Sequence, residues 1–414
     1  SHAEHYYQSC LRLNPLSLPA RKMLALLYRQ QRGYESAFDL LLPVLDSNST
    51  IAHDITSLIW DAIRAGQANL AEQFARKLHA QHPDNYLWAL LVGDSLLSQV
   101  KYDEAVQFYE KTLSMNDRCL EALNNLAIIH QARGFHKNAE YLFHRAHMLD
   151  PENIDYMINL SGCYIHRKKL SDAETFLRKM LKKFPDNSPL QGCLARTLQA
   201  MGIHDEALYL YRKSLQDFGK QSRSALEYSQ FHGSFLAFLN YPSKLDKDLL
   251  YQEHRNWEKI HVDRGSMLPQ RYAWKFDPMM AERPGNHQRL RVGLVSGDFR
   301  QHSVAYFLSA LLENYDRTLL QIYAYSTCKV EDDMTRQLRS LMDRWNRIDS
   351  LTIMQTAQLI RQDEVDILVD LSGFTEDNRL EVFALKPAPV QVTWLGYPNT
   401  TGLSAMDYRI TDEW

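Results

Sequence analysis

A period of 34 residues constrains this chain more than any other feature it carries. Ala3, Ala37, Ala71, Ala105, Ala139, Ala173 and Ala207 recur at that spacing. Four residues after each comes a bulky side chain (Tyr7, Leu41, Tyr109, Phe143, Leu177 or Tyr211), with Ala75 the departure. A second set, Leu24, Leu58, Val92, Leu126, Leu160 and Leu194, keeps the same period. The residue after it is small in five of six cases (Ala25, Gly93, Ala127, Ser161, Ala195), and Ile59 departs. Arg32-Gly33, Ala65-Gly66, Arg133-Gly134 and Met201-Gly202 read as turns between two helices of a unit, and Pro15, Pro83, Pro151 and Pro185 close several units. Small residues let paired helices approach, large ones fill the space between, and proline stops the second helix.

The pattern resembles the tetratricopeptide repeat over residues 1–218, as one half-unit and six full units. The resemblance implies an α-solenoid, a superhelix of stacked helix pairs whose extended wall suits polypeptides. A spacer or a homodimerisation arm is the competing reading. Asn125 and Asn159 fall at the same place in successive units, just before the first-helix leucine. There an amide can meet a peptide backbone with a donor and an acceptor together. The equivalent positions Met23, Ser57, Leu91 and Cys193 keep any such ladder short, and a local stability role competes with binding.

At 414 residues the chain is too long for one ordinary core and suggests two or three domains. A formal net charge of −3 argues against nucleic-acid binding, since no strong positive field gathers phosphates. Cys10, Cys119, Cys163, Cys193 and Cys328 are scattered, odd in number and without a CxxC pair. They read as reduced thiols of a cytoplasmic protein. No run of about 18 apolar residues would span a membrane, and SHAEHYYQ carries no signal-peptide core.

The period is lost over a bridge, residues 219–288. SALEYSQFHGSFLAFLNY reads as one helix and LDKDLLYQEHRNWEKIHV as another, with Leu245, Leu249, Leu250, Trp257 and Ile260 expected to pack. Pro269, Pro278 and Pro284-Gly285 mark 264–288 as an extended linker draped through Tyr272, Trp274 and Phe276.

From 289 to 414 strands and helices alternate, which implies a mostly parallel, doubly wound sheet. Leu290, Val292, Leu294 and Val295 form a buried strand that ends in Ser296-Gly297-Asp298, and a loop delivers His302 ahead of a helix. Ligands of such sheets bind at the carboxyl ends of the strands, and a histidine there exchanges protons near neutral pH. The competing reading of His302 is a helix cap. Further strands are read at 319–325, 366–371, 390–395 and 408–411, the third and fourth of the five ending in Ser372-Gly373 and Gly396-Tyr397-Pro398. The P-loop, GxGxxG and GxSxG motifs are absent. Glu331-Asp332-Asp333 reads as a helix start rather than a metal cluster.

LRVGLVSGDFRQHSV, EVDILVDLSGFTEDNRLEVFALKPAPVQVTWLGYPNTTG and MDYRITD closely resemble the amino-terminal catalytic lobe of the O-GlcNAc transferase and SPINDLY family. LNY at 239–241 and EHRNW at 253–257 resemble the bridge of its bacterial members. The resemblance implies a two-lobed GT-B glycosyltransferase, with residues 289–414 as the first Rossmann-like lobe and the second lobe, which carries most of the donor site, absent from this sequence. It implies metal-free, inverting transfer of N-acetylglucosamine from UDP-GlcNAc to serine or threonine of proteins held by the repeats, with no cofactor, and an inactive fragment by itself. His302 matches the histidine of the DFxxH element, suggested as a base or as a group orienting the acceptor. Asp298, Ser372, Gly373, Gly396, Tyr397, Pro398, Thr400, Thr401 and Gly402 match cleft loops. Asn399 replaces a glycine and Thr401 a serine of the family's GYPGTSG loop; asparagine tolerates left-handed backbone well. Fucose transfer from GDP-fucose and a non-catalytic repeat scaffold are the alternatives.

Overall fold

The computed structural model describes residues 2–47, 49–221, 225–242, 246–263, 289–328 and 331–412. The linker expected over 264–288 lies outside them. The chain divides into two compact units, Ser1–Met201 and Gly202–Trp414.

The first unit is a solenoid of helix pairs. Leu18–Gln30 pairs with Tyr34–Leu41, Ser49–Arg64 with Ala68–Gln81, Tyr86–Ser98 with Tyr102–Met115, Leu120–Ala132 with His136–Leu149 and Ile154–His166 with Leu170–Lys183. The repeated alanines Ala37, Ala71, Ala105, Ala139 and Ala173 are fully buried. Gly93 shows why the other set is small: a Cβ there would stand 2.8 Å from the Tyr109 ring. The turn between paired helices carries a left-handed residue at the same period: Arg32, Gly66, Val100, Gly134 and Lys168 have φ between 58° and 79°. In the first of these turns Arg32, not Gly33, takes that conformation, at a cost of about 1 kcal/mol for a side chain. Asn85, Asn153 and Asn187 cap first helices by accepting from Leu87, Asp155 and Leu190 amides. Pro43 cuts one second helix short at Leu41, and the chain continues as a 3-10 helix, Leu42–Ser47.

The second unit opens with the helix His204–Gln221, whose Tyr211 ring packs on Phe231, Phe235 and Phe238 of the bridge helix Ala225–Phe238. The second bridge helix, Lys247–Glu258, buries Trp257, but Leu249 is 40% exposed and does not join the core as expected. It runs into a π-helical turn, Lys259–Asp263.

A parallel sheet follows, with β1 Leu290–Ser296, β2 Leu320–Ser326, β3 Arg344–Arg347, β4 Ile367–Asp370, β5 Val390–Thr393 and β6 Tyr408–Arg409. Their order is β3-β2-β1-β4-β5-β6. This is the Rossmann order, with the chain reversing direction of growth between β1 and β4. Val295 of β1 lies opposite Tyr325 of β2 and Asp370 of β4, so the strands end level with one another. Leu294, Ile322, Val369 and Val392 pack with Val304, Leu308 and Leu312 of the helix Ser303–Asn314. The sequence reading missed β3 because Arg-Trp-Asn-Arg has no apolar run. It is an edge strand, and its backbone pairing with β2 rather than side-chain burial defines it.

Candidate active site

β1 enters a loop at Ser296, whose Oγ accepts from the Asp298 amide at 2.9 Å. Asp298 is buried, and its carboxylate stands 3.7 Å from both the Arg300 guanidinium and His302 Nδ1. His302 is the N-cap of the helix Ser303–Asn314, its Nδ1 accepting from the Val304 amide at 3.3 Å. The side chain is 40% exposed. Capping and surface access therefore coexist in one residue. An Nδ1 that accepts places the proton of the neutral ring on Nε2. In that tautomer Nε2 orients a hydroxyl by donating to its oxygen. To act as base through Nε2 the ring must carry its proton on Nδ1, exchanging the Val304 contact for the Asp298 carboxylate. The Gln301 amide donates to Asp332, which also caps the helix Asp333–Leu341 in a capping box with Thr335.

On the other side of the switch point, buried Asp370 ends β4. Its carboxylate accepts from the Ser372 and Gly373 amides at 3.1 and 3.0 Å and from Thr393 Oγ1 of β5 at 2.8 Å. Burial raises its pKa although these donors favour the charged form. Ser372 Oγ is buried without a partner. Gly373 has φ +58°, and a Cβ there would lie 2.2 Å from Tyr397 Cβ. A Cβ on Gly396 would come within 1.8 Å of the Leu371 carbonyl oxygen, so the loops after β4 and β5 are in backbone contact. Leu395 takes φ +72° to make the turn, while Asn399 has no positive φ, so its replacement of a glycine costs no left-handed strain.

Tyr397 is buried, and its hydroxyl reaches into the bridge. It meets His254 Nε2 at 2.8 Å, the Leu236 carbonyl at 3.1 Å and the Asn240 amide at 3.0 Å. Asn240 also accepts from Asn399. Arg255 donates to the Gly402 carbonyl at 2.8 Å, and Glu258 accepts from the Ser404 amide and hydroxyl. Thr401 is buried; Gly402, at φ +69°, presses on the His254 backbone, leaving no room for a Cβ. Thr400 Oγ1 accepts from the Gly402 amide, and the Pro398 carbonyl from Arg409. The expected cleft residues thus separate by place. Asp298, His302, Ser372, Gly373, Gly396 and Pro398 stand around the carboxyl edge, whereas Tyr397, Thr401 and Gly402 lie inward against the bridge. The bridge residues His254, Arg255 and Glu258 were not read as site residues. The polar His254-Arg255 step between Leu250 and Trp257 was the available signal.

An open depression of about 560 Å³ lies beside this edge, walled by Phe307, Leu311, Trp394, Pro398, Arg409 and Ile410. His302 is not in its lining, so the depression is a neighbour of the imidazole rather than its pocket.

In the solenoid, Asn125 Nδ2 donates to Asp94 Oδ1 at 2.9 Å and Asn159 Nδ2 to Asn124 Oδ1 at 2.8 Å. Both amides thus make helix-to-helix contacts, and each retains bonding capacity.

Residues 249–414 match the model of glycosyl transferase family 41, and residues 56–118 and 130–197 match tetratricopeptide repeats. The matched segment carries every cleft residue above and His254, one of the partners of Tyr397. A probable UDP-N-acetylglucosamine–peptide N-acetylglucosaminyltransferase SPINDLY of Oryza sativa subsp. japonica is 41% identical over 181 residues, 43% of this chain and 19% of that protein. The UDP-N-acetylglucosamine–peptide N-acetylglucosaminyltransferase of Caenorhabditis elegans is 35% identical over 159 residues, 38% of this chain and 13% of its own length. Among solved structures, a Thermobaculum terrenum O-GlcNAc transferase mutant matches with a TM-score of 0.54 and 29% identity, covering 79% of this chain and 54% of that one. The chain therefore spans about a fifth of the rice relative's length. Among the described residues no helix is long and apolar enough to cross a membrane.

Proposed function

We propose that the protein to which this family 41 segment belongs is a protein O-glycosyltransferase that moves N-acetylglucosamine from UDP-GlcNAc to serine or threonine hydroxyls of polypeptides held by the repeats. The observation that carries the reading is the half-exposed imidazole of His302 at the β1–β4 switch point, backed by the Asp298 carboxylate. The matched relatives bear UDP-N-acetylglucosamine–peptide transferase names, which supports this donor over GDP-fucose.

Transfer with inversion needs an aligned acceptor hydroxyl, an open anomeric face and a stabilised diphosphate. His302 serves the first need, through Nε2, as donor or as base according to tautomer. No carboxylate cluster is required, and we infer a metal-independent reaction in the cytoplasm. Because the chain spans 19% of the rice relative, the 414 residues alone are expected to be inactive.

The test is transfer of radiolabelled sugar from UDP-GlcNAc and GDP-fucose to protein acceptors by the full-length gene product, with and without EDTA. Incorporation from UDP-GlcNAc, unaffected by EDTA, is expected. Incorporation from GDP-fucose alone would replace the donor, and none from either would favour a scaffold.

A further inference from the structure

A cavity of about 320 Å³ opens between the first helices of three successive repeats, Ser49–Arg64, Tyr86–Ser98 and Leu120–Ala132. Trp60, Ile63, Arg64, Asp94, Leu97 and Asn125 stand in its wall. Trp60 and Asp94 are one period apart, and the Trp60 indole Nε1 donates to Asp94 Oδ2 at 3.0 Å. The other oxygen, Oδ1, accepts from the Tyr109 hydroxyl at 2.8 Å and the Asn125 amide at 2.9 Å.

These three donors are neutral. Among the described residues no cation pairs with Asp94, and Arg64, the cation in the wall, is already paired with Asp61 at 2.7 Å. A carboxylate offers about four acceptor sites, so Oδ2, with the Trp60 indole as its donor, retains acceptor capacity in a residue that lines the cavity. Burial pushes the Asp94 carboxyl above its ordinary range, the direction expected of an anion without a counter-charge. Apart from Asp94, Arg64, Asn125 and Ser98, the wall is apolar: an indole and the Ile63 and Leu97 side chains. That combination suits an alkyl stem ending in a positive charge. Aliphatic carbons cover apolar wall, the cation lies against an aromatic face, and the carboxylate neutralises it away from bulk water.

We propose that this cavity is a subsite for a basic side chain, lysine or arginine, of a polypeptide lying along the repeats. The inference rests on the reading of the repeats as a polypeptide-binding surface. It adds a selectivity to that surface, because an acidic or phosphorylated residue placed here would meet Asp94 as a like charge. It also gives Asn125 a definite part: its amide holds Asp94 Oδ1 and leaves Oδ2 for the ligand.

The test uses the whole chain and a panel of fluorescein-labelled ten-residue Gly/Ser/Val peptides that differ only at one central residue, lysine, arginine, norleucine or glutamate. Affinity is read by fluorescence anisotropy. The lysine and arginine peptides are expected to bind about tenfold tighter than the norleucine peptide, and the glutamate peptide weakest. In Asp94→Asn that preference is expected to fall to about twofold or less, with unchanged helical circular dichroism. Equal binding of lysine and norleucine peptides to the unmodified chain overturns the subsite while leaving polypeptide binding intact, and it decides the matter even if Asp94→Asn does not fold. Retention of the full preference in a folded Asp94→Asn overturns it as well. No binding of any peptide up to about 1 mM overturns the polypeptide reading of the repeats, and the subsite with it.

Discussion

Tyr397 and His254 are joined side chain to side chain, hydroxyl to Nε2, at 2.8 Å. His254 Nδ1 lies 2.7 Å from the Leu250 carbonyl, which can only accept, so Nδ1 carries the proton and Nε2 accepts from the phenol. A loop at the sheet edge is thereby held by a helix 143 residues earlier in the chain. Burial keeps the phenol above its usual range and the imidazole below its own, so both groups stay neutral at physiological pH.

Tyr397→Phe leaves His254 Nε2 without its buried donor and removes one acceptor from the Asn240 amide, which keeps the Leu236 and Ala237 carbonyls. Stability is expected to fall by about 1–3 kcal/mol. In a cycle with His254→Phe the double variant should lose less than the sum of the singles, because both remove one shared contact. Urea unfolding followed by tryptophan fluorescence reads it; strict additivity would show that the pair is not coupled.

Gly396→Ala, Gly373→Ala and Gly402→Ala differ from Gly66→Ala. At Gly66 a Cβ meets nothing within 4 Å, and only the left-handed backbone opposes it, costing about 1 kcal/mol. At the other three the Cβ would overlap Leu371 backbone, Tyr397 or His254 backbone. Those variants are expected to lose soluble expression or melt far below Gly66→Ala by differential scanning fluorimetry, with Gly396→Ala worst.

Two buried histidines, His232 and His254, and the half-buried His261 make the second unit acid-sensitive. Burial lowers His232 to about 3 and His261 to about 4, and lowers His254 as well. Unfolded imidazoles titrate near 6.5, so below that pH the unfolded chain binds more protons than the native one. Stability therefore falls as pH drops from about 6.5 towards 4. Melting temperature against pH measures the slope, and His261→Gln should flatten it; a melting temperature independent of pH across this window would contradict the burial of these rings.

His302 combines a cap with chemistry, and one substitution separates them. Asparagine is a better N-cap than histidine, so His302→Asn should leave stability unchanged or raise it by about 0.5–1 kcal/mol. If the imidazole handles the acceptor proton, turnover by the full-length protein falls by about 100-fold or more in the same variant. Full turnover in His302→Asn assigns His302 to capping alone.

The sequence by itself determined the solenoid, because a 34-residue period places alanines where helices touch and left-handed residues where they turn. It also determined the parallel sheet, since strands buried on both faces read as continuous apolar runs such as Ile367-Leu368-Val369. Its motifs pointed to His302 and to the loops after β4 and β5. What the tertiary structure decided was how those loops are held. Ser372 and Gly373 are gathered by Asp370 from below, while Tyr397, Thr401 and Gly402 turn inward to His254 and the bridge. Contacts between residues more than a hundred positions apart leave no periodicity to read. β3 was illegible for a related reason: backbone pairing at a sheet edge asks little of side chains. Asp94 shows the same limit in the solenoid, since only folding brings Trp60, Tyr109 and Asn125 around one carboxylate.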